Sequence, residues 1–394
     1  MKILKFIGKV LLALLALLIA VILFYYARDP AVFRRMLAGP GMGVVTETVK
    51  NSPQEAVKGT PVDDLLLAPA DTIEPAALAA AEAYATKTNS VALLVYHKGA
   101  LRYEKYWPGF DRDTITDPFS AHKTVMGLLM GAAIADGVIK SIDEPAATYL
   151  PEWANDARNK IRIRDLLQMS SGLETPPFGT WTGLRVTLGS ELEETVLALP
   201  SVKPPGSDFQ YSNANSQVLG IILQRASGKR YAEYLSERLW SRLGVPTAHV
   251  WLDREGGMAR TFCCLYTNAR SWLKVGRFIV DQGRVGAEQV VPAEWISAMA
   301  TPAPTNPNYG LQLWIGSPAG KERKYNDKTV KAFHSEPFAA DDMIYIDGFG
   351  GQRVYMVPSQ ELIIVRTGEA RFDWDDAIIP NAILRGIRPV GDAQ

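Results

Sequence analysis

From Thr124 to Ala135 the chain reads Thr-Val-Met-Gly-Leu-Leu-Met-Gly-Ala-Ala-Ile-Ala, uncharged and apolar almost all round a helix. Such a helix has no face to offer water, so it must be central and the rest of the fold must wrap it. Asp136-Gly137 ends it, with glycine supplying a left-handed exit. Just before it stands Pro118-Phe119-Ser120-Ala121-His122-Lys123. If Ser120 occupies the first turn, Ser120 and Lys123 share a face with Cβ atoms about 5–6 Å apart, and the amine reaches the hydroxyl. The positive end of the helix then lies where an oxyanion would develop. Taken alone, Ser-x-x-Lys also describes a capping serine with a solvated lysine. The argument for chemistry is burial, because a lysine one turn into an apolar helix either snorkels out or is kept for its reactivity.

The chain has 394 residues, enough for two ordinary domains or one large one with an insertion. Lysine plus arginine and aspartate plus glutamate number 42 each, a balance that gives no footprint for nucleic acid or acidic polymers. Cys263 and Cys264 are adjacent, and with four scattered histidines they make no zinc-ligand spacing. They are expected as small, unpaired residues of a buried segment.

The N-terminus is a basic stub, Met1 to Lys9, followed by an uncharged run from Val10 to Tyr26. At 1.5 Å per residue this run reaches about 25 Å, near the lower limit for spanning a bilayer. It ends on Phe24-Tyr25-Tyr26 rather than on small residues, which favours an uncleaved signal anchor over residues 1–27. The lysines hold that end in the cytoplasm and export the remainder, so a single-pass protein of the inner membrane with a periplasmic domain is expected. Residues 28–74, with Gly39-Pro40-Gly41 and no sustained periodicity, read as a tether. A helix is predicted from Pro75 to Thr86, then a hairpin of Ser90–His97 and Ala100–Trp107 turning at Lys98-Gly99. Helical pattern dominates from Ser120 to about Ala300, and strands return at 352–357 and 361–366, before a helix near 375–385. The expected class is therefore α+β, an antiparallel sheet built from both chain ends, flanked by helices, with an inserted mostly helical region.

Tyr211-Ser212-Asn213 precedes another apolar helix, Gln217 to Leu223. Alone it is a packed tyrosine and a turn-forming asparagine. Beside Ser120 and Lys123, the phenol can relay protons and the amide can hold the lysine and a substrate carbonyl. Ser-x-x-Lys followed by Tyr-x-Asn resembles the serine β-lactamase/penicillin-binding-protein superfamily, in its class C and esterase branch. The segment Ile161-Arg162-Ile163-Arg164-Asp165-Leu166-Leu167-Gln168-Met169-Ser170-Ser171-Gly172-Leu173 is similar to that group's, as are Pro205-Gly206 and Val290-Val291-Pro292-Ala293-Glu294-Trp295. The resemblance covers residues 75–390 and implies a β-lactamase-like serine hydrolase domain there.

The group's third motif, Lys-Thr-Gly, has Ile346-Asp347-Gly348 as its counterpart. By the resemblance, the Phe349 and Ser120 backbone N–H groups would form the oxyanion hole, with Gly348 allowing close approach. An isoleucine cannot hold a substrate carboxylate, and Asp347 would repel one, which argues against β-lactams. The Gly-Phe-Gly-Gly-Gln ending and Tyr309-Gly310-Leu311-Gln312-Leu313-Trp314 look most like the 6-aminohexanoate-dimer hydrolase and esterase subgroup, whose members cleave linear amides and small esters. Asp347, Asp341 or Asp342 could then meet a substrate ammonium. His122 is expected as a spectator, His334 as a loop residue near the entrance, and Trp181 and Trp314 as wall or core aromatics. The implied activity is hydrolysis of a small-molecule amide or ester through an acyl-enzyme on Ser120, with Lys123, Tyr211 and Asn213 in the site and no metal or cofactor required. A D-alanyl-D-alanine carboxypeptidase or β-lactamase at the cell wall is one alternative. A membrane-anchored sensor that acylates without turnover is another.

Overall fold

The computed structural model describes residues 2–39, 41, 43–316, 322–326 and 332–388. Its principal helices are α1 (Lys2–Arg28), α2 (Pro30–Ala38), α3 (Pro75–Lys87), α4 (His122–Ala135), α5 (Trp181–Leu188), α6 (Asn213–Ser227), α7 (Ala269–Val280), α8 (Ala293–Met299) and α9 (Ile378–Arg385). The principal strands are β1 (Gln54–Val57), β2 (Ser90–His97), β3 (Ala100–Tyr106), β4 (Ala248–Trp251), β5 (Leu265–Tyr266), β6 (Trp314–Ile315), β7 (Ile344–Gly348), β8 (Gln352–Val357) and β9 (Leu362–Gly368).

Six strands form the main sheet in the order β3-β2-β9-β8-β7-β6, every pairing antiparallel. Two come from the first third of the chain and four from the last, as the distribution of strand patterns predicts. Alternation sorts the side chains of β2: Ala92 and Leu94 face one core, Leu93 and Val95 the other. On the second face lie α3 and α9, through Leu78, Ala81, Ile379 and Ile383. The first face receives α7, where a Cβ on Gly276 would lie 2.8 Å from Val354 Cγ1, so only glycine lets this helix sit so close.

The helical region between the strands is centred on α4, whose residues His122 to Ala133 are all buried. Gly137, at φ +70°, gives the left-handed exit that the sequence predicts. Gly131 lets α8 press against α4, since a Cβ there would meet Trp295 Cδ1 at 2.2 Å. The Trp295 indole donates to the Gly127 carbonyl at 3.0 Å.

Two expectations are corrected here. Residues 28–74 are not a loose tether. Asp29, buried, accepts from the Ala31 amide (3.2 Å) and from the amide and hydroxyl of Ser190 (2.9 Å each). Arg35 donates to the carbonyls of Leu188 (2.6 Å), Gly189 (2.9 Å) and Asp253 (2.6 Å). Strand β1 adds to β4 in a second sheet of order β1-β4-β5. A short strand with one buried residue carries too little pattern to be seen from sequence, but its backbone groups are satisfied by pairing. The second correction is that Cys263 and Cys264 are joined to each other in a disulfide. The segment is buried as expected, with Cys264 at φ +70°.

Helix α1 has the length and apolarity of a membrane span or a signal sequence; its 26 residues from Ile3 to Arg28 include an apolar window of which 0% is buried.

Candidate active site

Ser120 lies in a 3₁₀ turn, Phe119–Ala121, that runs directly into α4. The turn opens on an unusual backbone: Phe119 has φ +48°, costly for a residue with a Cβ. Asp117 holds it there by accepting the Phe119 amide at 2.8 Å. Burial raises the Asp117 carboxyl to about 7, against the opposing pull of that amide. Ser120 thus stands in the first turn of the helix, where backbone N–H groups have no intrahelical carbonyl to bond.

One turn into the helix, Lys123 is buried, and its Nζ donates to Ser120 Oγ, Asn213 Oδ1 and the Phe262 carbonyl, each at 2.9 Å. Burial lowers its pKa from the usual lysine value to about 7, with the charge of Asp347 pulling the other way. A neutral amine has two donors and one lone pair. Asn213 and Phe262 absorb the donors, leaving the lone pair for the Ser120 hydroxyl proton.

Tyr211 approaches from the loop before α6. Ser212 caps that helix by accepting the Ala214 amide at 3.3 Å, which fixes Tyr211 and Asn213 on either side of the cap. The Tyr211 ring centroid is 4.9 Å from Lys123 Nζ, the amine that meets Ser120 Oγ. Burial raises the phenol well above the ordinary tyrosine range, Asp347 adds to the rise, and Ser120 and Arg323 oppose it. Trp314, Tyr309 and Tyr325 wall the Tyr211 ring, with centroids at 5.5, 6.0 and 5.4 Å.

Strand β7 closes the other side. A Cβ on Gly348 would lie 2.1 Å from the Pro118 carbonyl oxygen, so glycine is what lets the strand end touch the turn carrying Ser120. The Phe349 backbone follows directly. Its ring packs edge-on against Phe119 (5.6 Å) and Phe372 (5.5 Å), leaving Phe349 partly and Phe372 largely exposed as an apolar lip.

The structure thus brings Ser120, Lys123, Tyr211 and Asn213 together, with Gly348 of β7 against the Pro118 carbonyl beside them. Other readings change. Asp347 is not a free carboxylate, because it is ion-paired with Arg353 and with Arg323 (3.1 Å) and accepts from the Tyr325 hydroxyl at 2.7 Å. Asp376 completes the cluster, with Arg323 at 3.0 Å and Arg353 at 2.6 Å. With both arginines already holding it, Asp347 is not a free carboxylate waiting for a substrate ammonium. Asp342 accepts from Ser359 and, with Asp341, lines a separate hollow beside Lys98 and Arg385. Trp181 is not an acyl-site wall: its ring lies 4.8 Å from Tyr25 and 6.2 Å from Phe33. His334 contacts the Glu336 carbonyl and stacks 4.9 Å from Phe338. His122, pushed down to about 4 by burial, is held by the Cys263 carbonyl (2.6 Å) and the Tyr231 hydroxyl (2.8 Å). The Phe262 carbonyl and the arginine–aspartate cluster carry no local signal in the sequence.

Comparison with known proteins agrees with this architecture. A 6-aminohexanoate-dimer hydrolase of Paenarthrobacter ureafaciens is 28% identical over 228 residues, covering 54% of this chain and 57% of that protein. The chain spans about half the length of the curated relatives it matches. Among solved structures, a Bacillus anthracis protein described as a candidate 6-aminohexanoate-dimer hydrolase superposes with a TM-score of 0.66 at 20% identity, over 82% of this chain and 87% of that one. EstCE1, a hydrolase with promiscuous acyltransferase activity, gives 0.61 at 15% identity, over 79% and 97%. These likenesses establish the fold, a β-lactamase-like arrangement of helices on an antiparallel sheet. The Beta-lactamase family model matches residues 76–375, the stretch that carries the six-stranded sheet, α4 and Ser120, and the chain belongs to that family of serine hydrolases.

Proposed function

We propose that this protein hydrolyses small linear amides or esters through an acyl-enzyme on Ser120, like a 6-aminohexanoate-dimer hydrolase or a carboxylesterase. The observation that carries the reading is the buried Lys123 amine, 2.9 Å from Ser120 Oγ and lowered to about 7. Neutral Lys123 takes the hydroxyl proton as Ser120 attacks the carbonyl carbon. The Ser120 and Phe349 N–H groups receive the oxyanion, a contribution of about 3–4 kcal/mol per donor in such sites. Tyr211, kept protonated by burial, delivers a proton to the leaving amine or alcohol and is replenished from Lys123. Water then attacks the acyl-enzyme with the same groups working in reverse.

The residues around Ser120 support this substrate class. Ile346, the counterpart of the family's lysine, is buried in the apolar core and offers no charge to a carboxylate. Asp347 and Asp376 are each ion-paired with Arg323 and Arg353, a set of two acids and two bases. The lip of Phe349 and Phe372 favours an uncharged, apolar group next to the reacting carbonyl. The protein is further proposed to be held by α1 in the inner membrane, with the hydrolase domain on the periplasmic side.

Ser120→Ala is expected to lower kcat on a p-nitrophenyl ester by at least about 10³-fold. Intact-mass measurement should find one acyl adduct on the wild type and none on the variant. Wild-type rates from Ser120→Ala would remove the proposal.

A further inference from the structure

The junction between α1 and the hydrolase domain is a packed interface. Helix α1 ends at Arg28, Asp29 is buried, and α2 starts at Pro30. Tyr25, in the last turn of α1, packs 4.8 Å from Trp181 at the start of α5, and Tyr26 packs 5.7 Å from Phe33 of α2. Asp29 and Arg35 then bolt this corner to Leu188, Gly189, Ser190 and Asp253.

Depth follows from these distances. A helix of 26 residues rises about 39 Å, more than a hydrocarbon core of about 30 Å, so the aromatic end of α1 falls at the lipid–water boundary when its basic end sits at the opposite one. A ring in contact with Tyr25 must lie at that same depth. Trp181 therefore enters the interfacial layer, although it belongs to the domain. Its surroundings suit that place. Leu37 is 88% exposed, Met36 58% and Phe178 52%, a concentration of bare apolar side chains around one corner. Phe178 precedes α5 and lies against its first turn, its Cα 3.0 Å from where a Gly183 Cβ would be. Arg28 and Arg34, both exposed, stand in the same stretch with charge suited to phosphate headgroups.

We propose that the face formed by α2 and the start of α5, with Phe33, Met36, Leu37, Phe178 and Trp181, rests in the headgroup layer of the bilayer that α1 crosses. The domain lies on the membrane by a fixed corner and is not suspended from it. This rests on the anchor reading of α1 and is independent of the chemistry assigned to Ser120.

The test uses the full chain in vesicles of phosphatidylcholine and phosphatidylglycerol. A nitroxide is placed singly at Leu37→Cys, Phe178→Cys or Leu15→Cys, the two native cysteines being bonded to each other. Collision with oxygen is compared with collision with a water-soluble nickel chelate. The proposal expects the oxygen-to-nickel ratio at 37 and 178 to exceed that of an aqueous label severalfold, below the value at 15. Aqueous ratios at 37 and 178 with a lipid-like ratio at 15 would overturn the docking face and leave the anchor standing. An aqueous ratio at all three positions would overturn both.

Discussion

Lys123 concentrates the pH behaviour of the proposed chemistry. Its amine must be neutral to accept the serine proton, and it becomes so above about 7. The value of kcat/KM is therefore expected to climb with unit slope as pH rises through 7 and then to level off, because burial keeps the Tyr211 phenol protonated well past that range. A pH–rate profile on a non-ionising ester checks this, and an acid-side optimum would contradict it. Asp117 makes a second prediction with the opposite sign. Its folded pKa, about 7, lies above the unfolded carboxylate value, so the folded state binds more protons between about 4 and 7 and loses stability as pH rises across that interval. Asp117→Asn keeps an acceptor for the Phe119 amide without the ionisation cost. It should match the wild type near pH 4 and exceed it by up to about 4 kcal/mol at pH 8, measured by urea unfolding at both values. The Ser120–Lys123 spacing and Tyr-x-Asn were readable because each lies within a few residues on one turn or cap. The partners that set their state were not, because Phe262, Arg323 and Arg353 reach Lys123 and Asp347 from distant segments. Asp347 was misread for the same reason: its meaning depends on cations that only the folded chain brings near.

Among the elements, α4 is the most sensitive to volume. Gly131 faces Trp295 with no room for a methyl group, so Gly131→Ala trades a small gain in helix propensity for a clash with an indole ring. A net loss of about 1–3 kcal/mol is expected, seen as a lower urea midpoint with an unchanged slope. A neutral result would mean that α8 shifts away without cost. Helix α4, the β2–β3 hairpin and the C-terminal strands were legible because strong periodicity and turn residues coincide there. Strands β1, β4 and β5 were not, being two to four residues long and stabilised by one another. The neighbouring cysteines were read as unpaired on general grounds, which the geometry of the 263–264 segment overrides.

Across the entire chain, the class and the pairing of early with late strands followed from where strand patterns fall, whereas the attachment of residues 28–74 did not. Periodicity reports a face turned to a core, and this segment instead spends buried Asp29, Arg35 and a strip of backbone hydrogen bonds on its neighbours. That strip has a practical outcome at the bench. A recombinant fragment trimmed to the family match would start at residue 76 and discard β1, leaving an open hydrogen-bonding edge on β4 and orphaned donors at Ser190. Such a fragment should precipitate or self-associate on size-exclusion chromatography, while one beginning at Asp29 should stay monodisperse. Equal solubility of the two would show that the leading residues contribute nothing to shielding that seam.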